Sequence, residues 1–376
     1  MKRSMLLDLL EQSSAQKVLK APSRVDAGLA LDSTHFPFLA LVGQEEMQMA
    51  LLLSVVNPRV GGVVLIGPRG TGKTTAVRGL LELMPPVKRS TCPYGCTEEA
   101  AEARGIDAIC IDCAAKMGRG EALTALDRMR LVELPLHARL EDVVGGINER
   151  VAVEQNRIKL DKGILAQADG NLLYVDEINL LDDHVVNAIL DSAALGRYTV
   201  RRGALSATYN ARFVLIGSMN PEEGALRPQI MDRLGLRVIV SGLESKVQRL
   251  RVYRRMRAFA DNPHEFIAAY AQETRIFSQE IAEAKERLPK VTLTRQAKQL
   301  TIKLVKELFI SSNRAEYVTL EAARAYAAAD GRTRAGVADV RAVAPMALRQ
   351  RRSEFMESYF EQAHREEERI QALLNL

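Results

Sequence analysis

The sequence has no tryptophan, few other aromatic residues and no long hydrophobic run. Aromatic residues make up only 5% of the 376 residues, which does not favour a surface for stacking bases, so we expect no nucleic-acid partner. A membrane span would require about 20 consecutive apolar residues. The apolar stretches are shorter and resemble buried strands, as in the segment from Gly62 to Ile66. We therefore predict no membrane span.

The N-terminus also lacks the features of a signal peptide. Its start is basic, but Asp8 and Glu11 interrupt the apolar part, and no small-residue cleavage site follows at the right distance. We expect Met1 to Lys20 to form a surface helix and the protein to be cytoplasmic. In that compartment the four cysteines argue against a disulfide scaffold.

The charge imbalance is small as well. The 52 basic and 47 acidic residues leave a net charge of +5, which permits a polyanionic ligand without requiring nucleic acid. Hydrophobic residues at 47% and charged residues at 26% are typical of a soluble globular protein. At about 100–200 residues per domain, the length predicts two or three domains.

The pattern of apolar residues changes along the chain. Short apolar strands alternate with helical patterns from Phe36 to about Ser241, which predicts a parallel sheet covered by helices. From Lys246 onward only helical periodicity remains. The predicted segments are an N-terminal extension (1–35), an α/β domain (36–245) with a cysteine-containing insertion at about 90–120, a helical linker (246–290), a smaller all-helical domain (291–350) and a helical tail (351–376), which is either solvated or binds a partner.

One segment matches the phosphate-binding pattern G-x-x-x-x-G-K-[ST]. It follows an apolar strand and precedes a helical stretch, the context in which backbone N–H groups and a helix N-terminus can bind phosphate. Lys73 would reach the β- and γ-phosphates, and the Thr74 hydroxyl would bind Mg²⁺. The residues predicted to bind ATP are Gly67, Pro68, Arg69, Gly70, Thr71, Gly72, Lys73, Thr74 and Thr75.

A second apolar strand, 171–175, ends in the carboxylates Asp176 and Glu177. Two acids at the end of a buried strand indicate a function, because burying them without partners is unfavourable. Ligands bind at the carboxyl ends of strands in open α/β sheets. We expect Asp176 to hold the hydration shell of Mg²⁺ and Glu177 to polarise the water that attacks the γ-phosphate.

A third strand, from Phe213 to Ser218, leads to Asn220. A polar side chain at this end of the sheet can position the attacking water. The alternative is that Asn220 serves only as a turn residue before Pro221.

All four cysteines lie in one short stretch, as Cys92 and Cys96 followed by Cys110 and Cys113. Their spacings are typical of structural zinc ligands. Redox control by reactive thiols fits the same residues, and so do thiols without a metal. The stretch lies between the phosphate-loop helix and the next core element, so we expect it to be separate from catalysis.

Together these motifs resemble the AAA+ ATPases, and longer blocks resemble one family among them, the magnesium chelatase ATPase subunit I. The resemblance extends from residue 36 to about 350. Besides the motifs above, it rests on Phe36–Phe38, Leu41–Glu46, Asn57–Gly62, Leu134–Leu136, Glu141–Gly145, Lys162–Ala166, Ile178–His184, Asn220–Gly224, Leu226–Gln229 and Asp232–Arg233.

The resemblance implies roles for three more side chains. Asn220 corresponds to the residue called sensor 1, and Arg233 to the arginine finger that reaches a neighbouring subunit's nucleotide. Arg314 corresponds to sensor 2 of the helical lid, although the small residues usual around it are partly replaced. Leu234 stands where the family usually has phenylalanine, a difference that alters the packing behind the finger and keeps its guanidinium. The segment 196–203 resembles the family's β-hairpin, and 134–164 its helix insertion.

The resemblance also implies a function. The chain would be the ATP-hydrolysing motor subunit of magnesium chelatase, in a homo-oligomeric, hexameric ring with MgATP between protomers. A second AAA+ subunit (D) and a porphyrin-binding subunit (H) would be its partners in inserting Mg²⁺ into protoporphyrin IX, for chlorophyll or bacteriochlorophyll synthesis. The alternatives are a chelatase-related or MoxR-type ATPase acting on another cofactor or protein, and a helicase-like DNA remodeller. In the last case Arg197, Arg201 and Arg202 would line a DNA channel instead of forming a solvated hairpin.

Overall fold

The computed structural model describes residues 34–92, 96–106, 109–146, 162–203, 205–352 and 354–374. The predicted N-terminal helix, Met1 to Lys20, lies outside these residues. So does the part of the predicted helix insertion from 147 to 161.

A five-stranded parallel sheet forms the centre of the α/β part. Its strands are β1 (Val63–Ile66), β4 (Leu131–Leu134), β5 (Leu172–Val175), β8 (Val214–Met219) and β9 (Leu236–Ile239). They are ordered β4-β5-β8-β1-β9. In the register Leu65 lies beside Ser218, and Val175 beside Gly217. The carboxyl ends of β1, β5 and β8 therefore meet at one edge, where the phosphate loop, Asp176 and Asn220 follow them.

Alternate residues of the central strands enter different hydrophobic cores, because successive side chains point to opposite faces of a strand. Leu65 and Tyr174 belong to a core shared with the C-terminal helices. Val64 and Val175 belong to a second core on the other face. Both faces are covered, so β1 and β5 consist entirely of buried residues, as expected for a parallel sheet.

Helices and two antiparallel hairpins complete this part of the chain. One hairpin pairs β2 (Val87–Ser90) with β3 (Thr124–Asp127), and the other pairs β6 (Arg197–Arg202) with β7 (Leu205–Asn210). The segment 196–203, predicted as a hairpin, supplies only the first strand of the second one. The helices are α1 (Glu45–Val56), α2 (Lys73–Leu80), α3 (Glu98–Arg104), α4 (Ile111–Gly118), α5 (Leu140–Val144), α6 (Ile164–Gln167), α7 (Asp183–Leu195) and α8 (Pro228–Arg233).

The C-terminal part is helical, as predicted. Its helices are α9 (Lys246–Asp261), α10 (Pro263–Arg287), α11 (Arg295–Glu307), α12 (Arg314–Ala329), α13 (Val337–Leu348) and α14 (Glu354–Leu374), with the short strands β10 (Thr292–Leu293) and β11 (Arg334–Ala335). Asn262 separates α9 from α10, and its side chain caps α10 by accepting the N–H of Glu265 at 3.2 Å. The fold class predicted from the sequence, a parallel α/β sheet followed by a helical domain, is confirmed.

The helical part is tied to the sheet by polar contacts as well as by the shared core. Asn57, which follows α1, donates a hydrogen bond of 2.8 Å to the Glu321 carboxylate on α12. Arg351, whose side chain is fully buried, donates to the Asp232 carboxylate at 2.7 Å and to the carbonyl oxygen of Gly235 at 2.9 Å. Ser312 donates to the same carboxylate at 2.7 Å. Asp232 therefore connects α8 to the helical part at two points.

Candidate active site

The phosphate loop links β1 to α2. Gly70 and Gly72 have φ angles of 77° and 87°, and a Cβ at either position would meet nothing within 4 Å. The loop thus presents open backbone in a conformation that glycine adopts without strain. Gly67 is required for another reason, because a Cβ there would lie 1.9 Å from the carbonyl oxygen of Val240. Since α2 begins at Lys73, its N-terminus completes an anion-binding surface.

Lys73 is almost fully buried at 9% exposure. Its Nζ donates to the carbonyl oxygens of Gly67 at 2.7 Å and Pro68 at 2.8 Å. Burial lowers the pKa of Lys73, and the nearby carboxylates of Asp176 and Glu177 oppose that shift. No carboxylate of the described residues forms an ion pair with this ammonium group. Lys73 is therefore a cation held by neutral groups beside the place predicted for the phosphates.

The two predicted Mg²⁺ ligands are joined through a tyrosine. The Tyr174 hydroxyl donates to Asp176 Oδ1 at 2.9 Å and lies 3.0 Å from Thr74 Oγ1. Since the phenol has one proton, Thr74 is the donor in the second bond. The Ser218 hydroxyl also donates to Asp176 Oδ1. A hydroxyl and a carboxylate brought together in this way are the hard oxygen donors that Mg²⁺ prefers, so these residues fit the ion.

Glu177 is held in an unusual conformation. Its φ of 50° is left-handed, which is uncommon for a residue with a side chain, and its N–H donates to Ser218 Oγ at 3.1 Å. Its carboxylate accepts a hydrogen bond of 2.8 Å from Arg69, whose guanidinium also lies 2.5 Å from Glu223. The bond to Glu177 raises the pKa of Arg69. The carboxylate predicted to activate water is thus paired with an arginine of the phosphate loop.

Asn220 lies at the end of β8 and is buried at 5% exposure. Its side chain accepts the N–H of Glu222 at 3.3 Å, as a turn residue would. It also faces the same cavity as the phosphate loop. The contacts of Asn220 therefore fit both of its predicted roles, as a turn residue and as a residue that positions the attacking water.

These segments enclose a cavity of about 300 Å³. It is lined by Arg69, Gly70, Thr71, Gly72, Lys73, Thr74, Thr75, Asp176, Glu177, Ser218, Met219 and Asn220. Of the residues predicted to bind ATP, Gly67 and Pro68 do not line the cavity and instead bind Lys73 through their carbonyls. A larger cavity of about 560 Å³ between α11 and α13 has a mainly aliphatic lining with arginines and lacks any carboxylate.

The two predicted arginines lie outside the active-site cavity of their own chain. Arg233 ends α8 and donates to Asn187 at 3.1 Å and to Asp191 at 2.8 Å, both on α7. Arg314 begins α12 and is exposed. The structure therefore brings together the phosphate loop, Asp176, Glu177 and Asn220, and leaves Arg233 and Arg314 elsewhere.

Sequence reasoning missed three contributors to the site, namely Tyr174, Ser218 and Glu223. A signal for two of them was present, because residues two apart share one face of a strand. Tyr174 precedes Asp176 by two positions, and Ser218 precedes Asn220 in the same way. Glu223 reaches the site through the turn after β8, which the strand pattern does not describe.

The four cysteines form a separate cluster on the β2–β3 hairpin. Their sulfur atoms all lie within 4.8 Å of one another. The base of this hairpin is bonded to Asn171, which accepts from Arg89 at 2.6 Å and directly precedes β5. Asp176 follows the other end of that strand, so the cluster and the cavity are at opposite ends of β5.

None of the described helices combines the length and the apolar composition needed to cross a membrane.

Comparisons with known proteins agree with this architecture. The AAA domain of the dynein-related subfamily matches residues 62–234, and the AAA lid domain matches residues 299–373. A solved structure of a putative ATPase from Cytophaga hutchinsonii has the same fold, with a TM-score of 0.53 and 19% identity over 83% of both chains.

Two relatives are more similar in sequence. The magnesium-chelatase subunit ChlI homolog of Methanocaldococcus jannaschii is 39% identical over 85% of this chain and 87% of its own. The magnesium-chelatase subunit ChlI of Nostoc sp. is also 39% identical, over 84% of each chain. The resemblance inferred from the motifs is thereby confirmed. With an AAA domain, an AAA lid and this degree of identity across most of its length, the chain belongs to the magnesium-chelatase subunit ChlI family of AAA ATPases.

Proposed function

We propose that this chain is the ATP-hydrolysing motor subunit of a magnesium chelatase and that it drives the insertion of Mg²⁺ into protoporphyrin IX. One observation carries the proposal. In a member of the ChlI family, the phosphate loop, the acidic end of β5 and Asn220 all line a single cavity. The porphyrin and the Mg²⁺ being inserted are substrates of the complete enzyme, and this chain supplies the energy of ATP hydrolysis.

Each side chain in the cavity has a role in this proposal. Lys73 and the backbone N–H groups of the loop would bind the β- and γ-phosphates, and Thr74 and Asp176 would hold the Mg²⁺ of MgATP. Bound Mg²⁺ supplies charge neutralisation at the phosphates. Glu177 would accept the proton of the attacking water, and Asn220 would orient that water. Arg69 binds Glu177 through Oε1 and so holds this carboxylate beside the phosphate loop.

The arginines suggest a ring. Arg233 is outside its own cavity and is held by Asn187 and Asp191. An arginine placed in this way can complete the pocket of a neighbouring copy, where it would stabilise charge in the transition state. We therefore propose that Arg233 is the arginine finger and that Arg314 is sensor 2. Both would act in a homo-oligomeric ring, and the family resemblance implies that this ring is a hexamer. The same resemblance names subunits D and H as partners, and the cytoplasmic location predicted from the N-terminus stays a prediction.

Reconstitution tests this function. The chain, D and H subunits, protoporphyrin IX and MgATP are mixed, and formation of the magnesium porphyrin is followed by fluorescence. We expect product only when all three proteins are present, and none when Lys73→Ala replaces the wild type. ATP hydrolysis that DNA stimulates, with DNA affinity falling steeply as salt rises, would instead support the helicase-like alternative. Hydrolysis without any porphyrin product would favour the alternative of another cofactor or protein substrate.

A further inference from the structure

We propose that Cys92, Cys96, Cys110 and Cys113 bind one structural zinc ion. The proposal goes beyond the ATPase function, which does not use these residues. Cys92 Sγ lies 3.7 Å from Cys96 Sγ and 3.5 Å from Cys110 Sγ, and all four sulfurs lie within 4.8 Å of one another. Four sulfurs at about 2.3 Å from a tetrahedral zinc ion would be about 3.8 Å apart. The spacing thus matches one metal atom at the centre of the cluster.

The same distances argue against a disulfide and against an iron–sulfur cluster. A disulfide requires sulfurs about 2.05 Å apart, and none of these four cysteines forms one. An iron–sulfur cluster holds several metal atoms between its cysteines and needs a wider opening than this one. The group contains thiols alone, without histidine or carboxylate, and a compact tetrahedral set of four sulfurs is a typical zinc site.

The ligands come in two pairs from different elements. Cys92 follows β2 and pairs with Cys96, whereas Cys110 immediately precedes α4 and pairs with Cys113 in its first turn. The two pairs contact each other directly, because the N–H of Cys110 donates to Cys96 Sγ at 3.3 Å. Hydrogen bonds of this kind orient metal ligands in protein sites.

The insertion between β2 and β3 has little else to hold it together. In its described part the buried core consists of Cys96, Ala101, Ile109, Cys113 and Leu123, so two of five core residues are proposed ligands. Ile111, next to the second pair, is 88% exposed. A segment with so small a core requires a further constraint, and a bound metal is one that small folded units use.

The ordered insertion is fastened to the rest of the hairpin. The Glu98 carboxylate accepts the N–H groups of Leu123 at 2.6 Å and Thr124 at 3.0 Å, which ties the loop between the ligand pairs to β3. The site would shape this surface and leave the chemistry at the far end of β5 unchanged.

Metal analysis of the full chain tests the proposal. Protein produced with added zinc should contain one zinc ion per chain by mass spectrometry, and Cys113→Ser should lose most of it. Asp112→Ala is the matched control, because it removes an exposed carboxylate beside Cys113 that is not in the group, and it should keep its zinc. Replacing the metal with Co²⁺ in the wild type should give the visible absorption of tetrahedral cobalt thiolate, a result that does not depend on whether the serine variant folds.

Three results for the wild-type protein would overturn the proposal. The first is four titratable thiols and no bound metal, the second is a disulfide among these cysteines, and the third is bound iron in place of zinc. ATP binding is measured on the same samples. Zinc retained without ATP binding would contradict the proposed function alone, and ATP binding without zinc would contradict the zinc site alone.

Discussion

The guanidinium of Arg69 lies 2.8 Å from the carboxylate of Glu177. This contact joins the phosphate loop to the end of β5 across 108 residues of sequence. Arg69 is 70% exposed and Glu177 only 19%, so the arginine covers the carboxylate from the solvent side. Arg69 therefore contacts the proposed base directly, and the phosphates of a bound nucleotide would compete with Glu177 for its guanidinium.

Replacing Arg69 with alanine should raise basal ATP hydrolysis. An ion pair with so exposed an arginine is weak, so the increase in kcat should be small, at most about fivefold. Glu223→Gln is the control, because it removes the second partner of Arg69 and keeps the contact with Glu177. A fall in kcat with unchanged KM would mean that Arg69 stabilises the transition state instead.

Replacing Lys73 with alanine should abolish ATP binding or reduce hydrolysis by at least about 100-fold, because the loop loses the buried ammonium group beside the place predicted for the β- and γ-phosphates. Nucleotide binding is measured by fluorescence of a labelled ATP, and hydrolysis by phosphate release. Lys88→Ala, an exposed lysine on β2, should leave both unchanged. Normal turnover in the Lys73 variant would remove the assignment of the phosphate loop.

Replacing Glu177 with glutamine should trap ATP. The amide keeps the shape of the side chain but cannot take a proton, so hydrolysis should fall by about 10²–10⁴-fold while the nucleotide stays bound. The bound nucleotide is identified by chromatography after rapid gel filtration. Glu286→Gln, an exposed carboxylate on α10, should hydrolyse ATP normally. Wild-type rates in the Glu177 variant would assign the base to another residue.

Mixing two inactive chains should restore hydrolysis if Arg233 acts on a neighbouring copy. Arg233→Ala retains a complete pocket, and Lys73→Ala retains the arginine, so mixed rings contain some complete interfaces. Phosphate release should rise above that of either variant alone. Arg227→Ala is the control, since Arg227 directly precedes the same helix and pairs with Asp183 on α7, and this variant should be active without mixing. Mixed rings with no recovery would contradict action between subunits.

Replacing Tyr174 with phenylalanine should weaken the response to Mg²⁺. The variant loses the hydroxyl that links Thr74 to Asp176, and losing such a supporting contact typically reduces metal affinity by about tenfold. The Mg²⁺ concentration at half-maximal hydrolysis measures the effect. Tyr317→Phe, in an exposed tyrosine of α12, should not change it. An unchanged requirement for Mg²⁺ in the Tyr174 variant would mean that this hydroxyl only fills the core.

Much of the site could be predicted because its parts are contiguous motifs at the ends of parallel strands. Gly67 to Thr74 and Asp176 to Glu177 each lie on one short segment, and parallel pairing brings such segments together. The pairing of Arg69 with Glu177 could not be predicted, because it depends on how two loops pack. A tyrosine in an apolar strand is equally typical of a core residue. The contacts of the Tyr174 hydroxyl could not be predicted, because they depend on how the folded chain places its partners.

Helix boundaries show the same limit. The helical periodicity after Lys246 does not show where each helix begins, and α12 begins at Arg314. The first turn is stabilised by tertiary packing, since Ala315 lies in a core with Val305 and Leu348 from neighbouring helices. Small residues such as alanine have little effect on a hydrophobic pattern, so their burial cannot be read from it.

The double attachment of Asp232 has a mechanical consequence. Arg351 and Ser312 bind this carboxylate from the helical part, and the next residue along the chain is Arg233. In the ring proposed above, any movement of the helical part would therefore act on residue 232 and change the direction of the neighbouring guanidinium at position 233.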